Sequence, residues 1–146
     1  MRALIDTCII IDALQNREPF AADAQAILLA SANKRLDGFI SAKSVTDIYY
    51  LTYRLTHVDK DTRGILSRLF VLFDVLDTAV MDCRKAIASN TTDYEDAVMI
   101  ETAVRSGMDC IVTRNIKDYT AAPLPVYAPS DFLKELNTSR DSDGLD

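Results

Sequence analysis

The stretch Ala3-Leu4-Ile5-Asp6-Thr7-Cys8-Ile9-Ile10-Ile11-Asp12-Ala13-Leu14 indicates the fold more clearly than any other part of the chain. An apolar run from Ala3 to Ile5 ends in a carboxylate, Asp6, and a segment with helical spacing follows at once. Because a buried strand avoids charge, Asp6 is predicted to mark the carboxyl end of a strand. In open parallel sheets, ligands bind at that edge. Asp6 is equally typical of a helix N-cap, so its role depends on whether other carboxylates reach the same edge.

The composition is that of a single globular domain. The chain has 146 residues, of which 49% are hydrophobic and 26% are charged, unlike a disordered protein. No apolar stretch reaches the roughly 18 residues of a membrane span. The first residues do not resemble a secretory signal. We therefore expect no association with membranes.

Charge and cysteine content narrow the function further. A net charge of −6 argues against a broad basic surface for nucleic acid. A nucleic-acid substrate stays possible, because a divalent metal can reverse the local charge of an acidic site. The three cysteines (Cys8, Cys83 and Cys110) show neither a close pair nor a metal-type spacing, which suits a cytoplasmic location. Cys8 and Cys110 lie in apolar segments and are predicted to be core residues.

Short apolar segments alternate with helical patterns along the chain. This alternation predicts a three-layer α/β/α sandwich with a central parallel sheet. The predicted strands are residues 3–5, 39–40, 75–76, 110–113 and 126–127, and Asp37-Gly38 predicts a turn before the second of them. The predicted helices begin near residues 9, 22, 44, 59, 81, 93 and 131. The last helix is expected to end near Leu136, so that residues 1–136 form the domain and residues 137–146 a flexible polar tail.

Four acids follow the predicted strands on their carboxyl side, namely Asp6, Asp47, Asp96 and Asp118. Each has a structural explanation, because Asp is common at helix starts, and Ser44-Val45-Thr46-Asp47 and Asp93-Tyr94-Glu95-Asp96 resemble capping boxes. In a doubly wound sheet, however, these positions share one edge, where converging carboxylates repel one another unless a cation is bound. Oxygen ligands without His or Cys favour Mg²⁺ or Mn²⁺. Such a site would activate water and stabilise charge on a phosphodiester.

Four blocks of the sequence resemble the PIN-domain ribonucleases, in an order that spans Arg2 to Leu136. The blocks are Leu4-Ile5-Asp6-Thr7-Cys8, Ser44-Val45-Thr46-Asp47, Asp93-Tyr94-Glu95-Asp96-Ala97, and Ile111-Val112-Thr113-Arg114-Asn115 with Lys117-Asp118-Tyr119. The resemblance implies a three-layer α/β/α fold, a divalent-metal site and endonucleolytic cleavage of single-stranded regions of RNA. A compact single-domain member is similar to the VapC-type toxins of bacterial toxin–antitoxin pairs, which implies a cognate antitoxin.

The resemblance also implies roles for individual residues. Asp6, Asp47 and Asp96 match the first three acids of the family and would hold the metal. Asp47 stands where Glu is more frequent, which shortens the reach by one methylene. Many members carry an acid directly after Thr-Arg, whereas Asn115 stands here. Asn115 can ligate through its carbonyl and Asp118 can supply the missing charge, so both assignments stay open.

Two neighbours of Asn115 are further candidates. Thr113 is predicted to place its hydroxyl beside Asp6 or Asp96. Arg114 is a candidate phosphate contact, with a solvent-facing loop position as the alternative. His57 is the only histidine, so the His pair that many metal-free ribonucleases use is not available.

Two other functions compete with a nuclease. A phosphatase that forms an aspartyl-phosphate on Asp6 usually needs a second acid two residues later, where Cys8 stands. A catalytically weakened PIN-like module that binds RNA or a protein partner is the other alternative, and Asn115 is the feature that favours it.

Association is predicted from the third and fourth helices. They carry four basic residues (Arg54, Lys60, Arg63 and Arg68) and six large side chains (Tyr49, Tyr50, Tyr53, Leu66, Leu69 and Phe70). The basic residues could line an approach to the acids, and the large ones exceed what a small core readily absorbs. We therefore expect a two-fold homodimer, with an amphipathic antitoxin segment in a neighbouring groove. The alternatives are base stacking by the tyrosines and packing within one subunit.

Overall fold

Five parallel strands form the central sheet of the computed structural model, which describes residues 1–143. They are β1 (Arg2–Ile5), β2 (Asp37–Ser41), β3 (Asp74–Leu76), β4 (Cys110–Val112) and β5 (Val126–Tyr127). The strand order is β3-β2-β1-β4-β5, and Leu4 pairs with Phe39 on one side and with Ile111 on the other. The chain thus builds one half of the sheet before it crosses β1 to build the other. β1 is therefore central, and its carboxyl end lies at the point where the strand order reverses.

Seven α-helices cover the two faces of this sheet. They are α1 (Thr7–Leu14), α2 (Ala21–Ala32), α3 (Ala42–Thr56), α4 (Asp59–Leu72), α5 (Val80–Ile87), α6 (Tyr94–Arg105) and α7 (Pro129–Asp143), with a short 3₁₀ helix at Ile116–Tyr119. The predicted three-layer α/β/α class is confirmed. No helix within residues 1–143 combines the length and the apolarity needed to cross a membrane.

The alternation of side chains along β1 divides the core into two layers. Ala3 and Ile5 belong to the larger cluster, which joins the sheet to α1, α2, α3, α4 and α7. Leu4 belongs to the second cluster, with Met99 and Ile100 of α6. Because Ala3, Leu4 and Ile5 are fully buried, charged residues occur only at the two ends of the strand, at Arg2 and Asp6.

Two local predictions were wrong. The Asp37-Gly38 pair is part of β2, not a turn: a Cβ at position 38 would lie 2.7 Å from a ring carbon of Phe73. Gly is therefore needed there for close packing. Helix α3 begins at Ala42 rather than at Ser44, because Ser41 is its N-cap and accepts a hydrogen bond from the Ser44 N–H. The capping box predicted for Ser44 and Asp47 is thus absent, and Asp47 lies beyond the first turn.

The last helix is longer than predicted. It was expected to end near Leu136 and continues to Asp143. Phe132 and Leu136 anchor it in the core, and the side-chain amide of Asn137 accepts a hydrogen bond from Arg35 at 2.8 Å. The division into a domain of residues 1–136 and a flexible tail stays a prediction, and its residues 144–146 lie outside the described part of the chain.

Candidate active site

An acidic cleft of about 500 Å³ opens at the carboxyl edge of the sheet. It lies beside the ends of β1 and β4 and the starts of α1, α3 and α6. Its lining residues include Asp6, Cys8, Lys43, Asp47, Tyr50, Arg54, Asp93, Glu95, Asp96, Asn115 and Asp118. All four acids named from the sequence therefore line the same cleft.

Asp6 is held by donors from two ends of the chain. Its Oδ1 accepts a hydrogen bond from the Thr7 N–H at 2.7 Å, so Asp6 does cap α1. Its Oδ2 accepts one from the Thr113 hydroxyl at 2.7 Å. The Cys8 thiol is 3.6 Å from the same oxygen. Capping and cleft lining, treated above as alternatives, thus occur together.

Asp96 lies in the first turn of α6, whose N-cap is Asp93 as predicted. The hydroxyl of Tyr119, a side chain only 2% exposed, donates a hydrogen bond to Asp96 Oδ1 at 3.1 Å. Burial raises the pKa of Asp96 to about 6, against the lowering effect of that hydrogen bond. The negative charges of Asp93, Asp6 and Asp118 raise this pKa further.

The protons on Tyr119 and Cys8 are firmly held. Burial first, and then the negative charges of Asp6 and Asp96, raise the pKa of Tyr119 far above its usual range. Burial and the charge of Asp6 raise the pKa of Cys8 to about 11. Both side chains therefore remain donors beside the acids at any physiological pH.

Asp47 is held differently, by a cation. Its carboxylate lies 3.6 Å from the Lys43 ammonium, which also lies 3.4 Å from Glu95. The Asp47 side chain is 48% exposed. Glu95 lines the same cleft.

Of the candidates in the segment after β4, Asn115 and Asp118 line the cleft and Arg114 does not. The Asn115 N–H donates to the Thr113 hydroxyl at 3.0 Å, and the Asp118 N–H donates to the Asn115 carbonyl at 2.9 Å. The Arg114 guanidinium instead binds Asp12 of α1 through two hydrogen bonds, of 2.5 and 3.2 Å. It also lies 4.0 Å from the ring centroid of Phe20. Arg114 is therefore held by a buried carboxylate with 26% of its own side chain exposed, and its predicted contact with a phosphate is untested.

The donor set fits a small divalent cation in its chemistry. Asp6 and Asp96 offer carboxylate oxygens oriented by hydroxyl groups, and Mg²⁺ is commonly held by one or two carboxylates with water or substrate oxygens completing the shell. Within residues 1–143, no three Asp, Glu, His or Cys side chains lie close enough to hold a metal ion. Asp6 and Asp96 are the acids of the cleft that hydroxyl groups orient, and they are the ones that would hold the cation.

Sequence reasoning missed three residues that shape this region. Cys8, predicted to be core, lines the cleft, and Tyr119 was quoted in a motif without a role. Asp12 was missed although a charge within Ile9-Ile10-Ile11-Asp12-Ala13 is itself a signal. A carboxylate on an otherwise apolar helix requires a buried partner.

Comparison with protein families gives one match that spans most of the chain. The family model described as PIN domain matches residues 2–117. No curated protein matches the chain at a significant level.

Several solved structures share this fold, at low sequence identity. A toxin–antitoxin complex from Klebsiella pneumoniae contains a chain with 24% identity and a TM-score of 0.64, over 87% of this chain and 97% of that one. A chain of FitAcB from Neisseria gonorrhoeae has 21% identity and a TM-score of 0.64, over 88% of this chain and 98% of that one. A chain of VapBC2 from Rickettsia felis, bound to a DNA fragment from its promoter, has 16% identity and a TM-score of 0.61. The match covers 88% of this chain and 98% of that one. At these identities the likeness establishes the fold.

Proposed function

The chain belongs to the PIN-domain family, and from that premise we propose that it is a metal-dependent endoribonuclease that cleaves single-stranded regions of RNA. The observation that carries this proposal is the pair Asp6 and Asp96, which line one cleft and are oriented by neutral hydroxyl groups rather than by cations. A pair of this kind retains its negative charge for a metal ion.

Asp6 and Asp96 would bind Mg²⁺ or Mn²⁺. When bound, the cation would lower the pKa of a water molecule and neutralise charge on the phosphodiester. Thr113 fixes one oxygen of Asp6, and Tyr119 fixes one oxygen of Asp96. Such hydrogen bonds set the direction in which a ligand presents its free lone pairs.

The other candidates have supporting positions. The cleft is also lined by Asp47, Asn115 and Asp118. We assign Asp47 and Asp118 to the catalytic machinery as additional negative charges. Asn115 has an amide that can accept a hydrogen bond from the substrate or donate one to it. Asp47 would need to release Lys43 before it could approach a cation. Arg114 is bound to Asp12 and has no part in this scheme.

The proposed biological setting is the cytoplasm, where the chain would act as a VapC-type toxin with a cognate antitoxin and as a homodimer. The folds of the toxin–antitoxin neighbours support the first partner. Exposed apolar side chains on α3 and α4, among them Leu55, Phe70 and Val71, support a subunit contact. Leu69, named from the sequence for that contact, is 2% exposed and belongs to the core instead. Sedimentation at micromolar concentration tests the dimer.

The nuclease proposal is tested with purified protein, a fluorescent single-stranded RNA and Mn²⁺. Asp6→Asn should lower the cleavage rate by more than about 100-fold, beyond the loss typical of a residue that only supports a metal ligand. Asp61→Asn is the matched control, because Asp61 is an exposed acid at the start of α4. Equal rates for wild type and Asp6→Asn would refute the proposal.

One observation favours the alternative of a weakened module that binds RNA or a protein. Within residues 1–143, the acids of the cleft do not form a group of three that could hold a metal, and Asp47 is paired with Lys43. RNA binding without cleavage at any divalent-metal concentration would support this alternative over the nuclease.

A further inference from the structure

One face of α3 extends the acidic cleft away from the carboxylates. Asp47, Tyr50, Leu51 and Arg54 all line the cleft, at spacings of three, four and seven residues. Residues at these spacings lie on one side of a helix. At 1.5 Å per residue, Arg54 lies about 10 Å along the helix axis from Asp47. The cleft therefore has an acidic end and an end formed by Tyr50 and Arg54.

The charges in the cleft are unevenly neutralised. The acidic side chains that line it are Asp6, Asp47, Asp93, Glu95, Asp96 and Asp118, against two basic ones, Lys43 and Arg54. Lys43 is occupied by Asp47 and Glu95. Arg54 is exposed, and it makes no ion pair among residues 1–141, whose side chains the structure describes. It is the cationic group in this cleft that stays available for an anionic ligand.

Tyr50 combines exposure with a fixed position. Its side chain is 63% exposed although it stands on a helix between two hollows. One hollow is the acidic cleft, and the other, of about 280 Å³, is lined by Val45, Thr46, Tyr49, Tyr50, Arg63 and Leu66. The Tyr49 ring meets Tyr50 edge-on with centroids 5.1 Å apart, and the Tyr49 hydroxyl hydrogen-bonds to Asp59. The ring that steadies Tyr50 is thus itself anchored to α4.

From this juxtaposition we infer that Tyr50 and Arg54 form a subsite for an unpaired nucleotide that flanks the cleaved bond. Tyr50 stacks on the base and Arg54 binds a phosphate oxygen. Every base presents a face for stacking, whereas a base inside a duplex does not expose one, so the subsite selects single strands without reading sequence. The inference rests on the proposed nuclease function and assigns the part of the site that binds its substrate.

Binding is measured apart from cleavage, with a fluorescein-labelled 12-nucleotide oligouridine in the presence of EDTA. Loss of one stacked aromatic weakens single-strand binding by about 5- to 150-fold. Tyr50→Ala should fall in this range, and Tyr50→Phe should retain wild-type affinity. Arg54→Ala should reduce the slope of log affinity against log salt by about 0.7, the value for one phosphate contact on a single strand.

Two variants serve as matched controls. Leu55→Ala removes an exposed large side chain from the same helix that does not line the cleft. Arg84→Ala removes an exposed arginine from α5. Both should keep the affinity for oligouridine and its salt slope. In cleavage assays with Mn²⁺, Tyr50→Ala should raise KM more than it lowers kcat, because the subsite lies away from the acids.

The outcomes separate this inference from the nuclease proposal. If wild type cleaves RNA but Tyr50→Ala and Arg54→Ala bind oligouridine like the controls, the subsite is refuted and the nuclease stands. If wild type binds oligouridine through Tyr50 but never cleaves, Tyr50 and Arg54 form a binding site for single strands only, and the nuclease is refuted. If wild type does neither, both are refuted. Sedimentation of Tyr50→Ala tests whether Tyr50 lies in a subunit contact instead. If the substitution converts a dimer into monomers, this face of α3 is a subunit contact and the subsite is refuted.

Discussion

Two pairs of carboxylates are removed from solvent in this fold, and they are held in opposite ways. Asp12 and Asp82 are fully buried, and each is bound by a guanidinium, from Arg114 and Arg105 respectively. Asp6 and Asp96 are partly buried, and their side-chain partners are the neutral hydroxyls of Thr113 and Tyr119. The first pair joins helices to distant parts of the chain, whereas the second lines the cleft.

The difference shows that the partner of a carboxylate distinguishes a structural acid from a functional one. A buried carboxylate with a guanidinium partner is neutralised within the protein and has little left to offer a ligand. A carboxylate fixed by hydroxyl groups keeps its orientation and also its charge. Asp47 is intermediate, because it pairs with the Lys43 ammonium but its side chain is 48% exposed.

The largest expected effect is the loss of the cation that holds Asp12. Arg114→Met should lower the free energy of unfolding by about 3–5 kcal/mol, because it leaves a buried charge unpaired. Urea denaturation measures the loss. Asp12→Leu combined with Arg114→Met should recover most of it, since an apolar pair avoids the cost of burying charge. A loss below about 1 kcal/mol in Arg114→Met would mean that Asp12 is not a structural acid.

A smaller loss is expected at Asp82. Arg105→Met should cost about 1–3 kcal/mol of unfolding free energy, because the Ala79 N–H and the Thr102 hydroxyl still donate to Asp82. Burial would raise the pKa of Asp82, but hydrogen bonds from Arg105, Ala79 and Thr102 hold it below its usual value. The stability gained from ionised Asp82 is therefore lost as pH falls below about 4.

The measurement for Asp82 is urea denaturation of wild type and Arg105→Met from pH 7 to pH 3. The difference between the two proteins should shrink at the acidic end. A difference that does not change over this range would show that Arg105 stabilises the fold by packing alone.

Asp96 should behave in the opposite direction. Because its pKa is raised to about 6, ionised Asp96 destabilises the metal-free fold, increasingly as pH rises from about 4 to 6 and fully above that. Asp96→Asn should therefore stabilise the metal-free protein at pH 7, by about 1–2 kcal/mol after allowance for solvent screening. Thermal melts from pH 4 to pH 8 in EDTA check this, with Asp61→Asn as the control. A variant that melts below wild type at pH 7 would show that Asp96 is a structural acid like Asp82.

The smallest effect concerns metal binding to the cleft. Mn²⁺ at five times its dissociation constant should stabilise the wild-type fold by about 1 kcal/mol. Asp6→Asn should abolish the response, and Asp61→Asn should retain it. A melting temperature that Mn²⁺ leaves unchanged in the wild type would place Asp6 outside any metal site.

Local patterns predicted the sheet and the edge at which the acids meet. The apolar run before Asp6 and the capped start of α6 are short-range signals, and both are realised. The start of α3 was misassigned because Ser41 and Ser44 are both able to cap. Ser41 is the cap because its backbone is still extended at the end of β2 and its hydroxyl accepts the Ser44 N–H. The end of the last helix was placed near Leu136 because the residues after it are polar, and an exposed end of a helix looks like a tail in sequence.

The partners of the acids could not be predicted, because they are remote in sequence. Arg114 is 102 residues from Asp12, and Arg105 is 23 residues from Asp82. No periodicity relates such positions. Tyr119 was equally hidden, since a buried tyrosine is ordinarily part of an apolar core and only its hydroxyl contact with Asp96 sets it apart.

The hydrogen bond between Thr113 and Asp6 also determines when the cleft can form during synthesis of the chain. The two residues are 107 positions apart, and β1, which ends beside Asp6, pairs with β4. A ribosome that adds about 5–20 residues per second needs roughly 5–20 s to cover that distance. Throughout this interval the nascent chain contains Asp6 without Thr113 or Tyr119. If the proposed activity depends on these residues, a nascent chain cannot cleave the messenger that encodes it until nearly the whole sheet has been made.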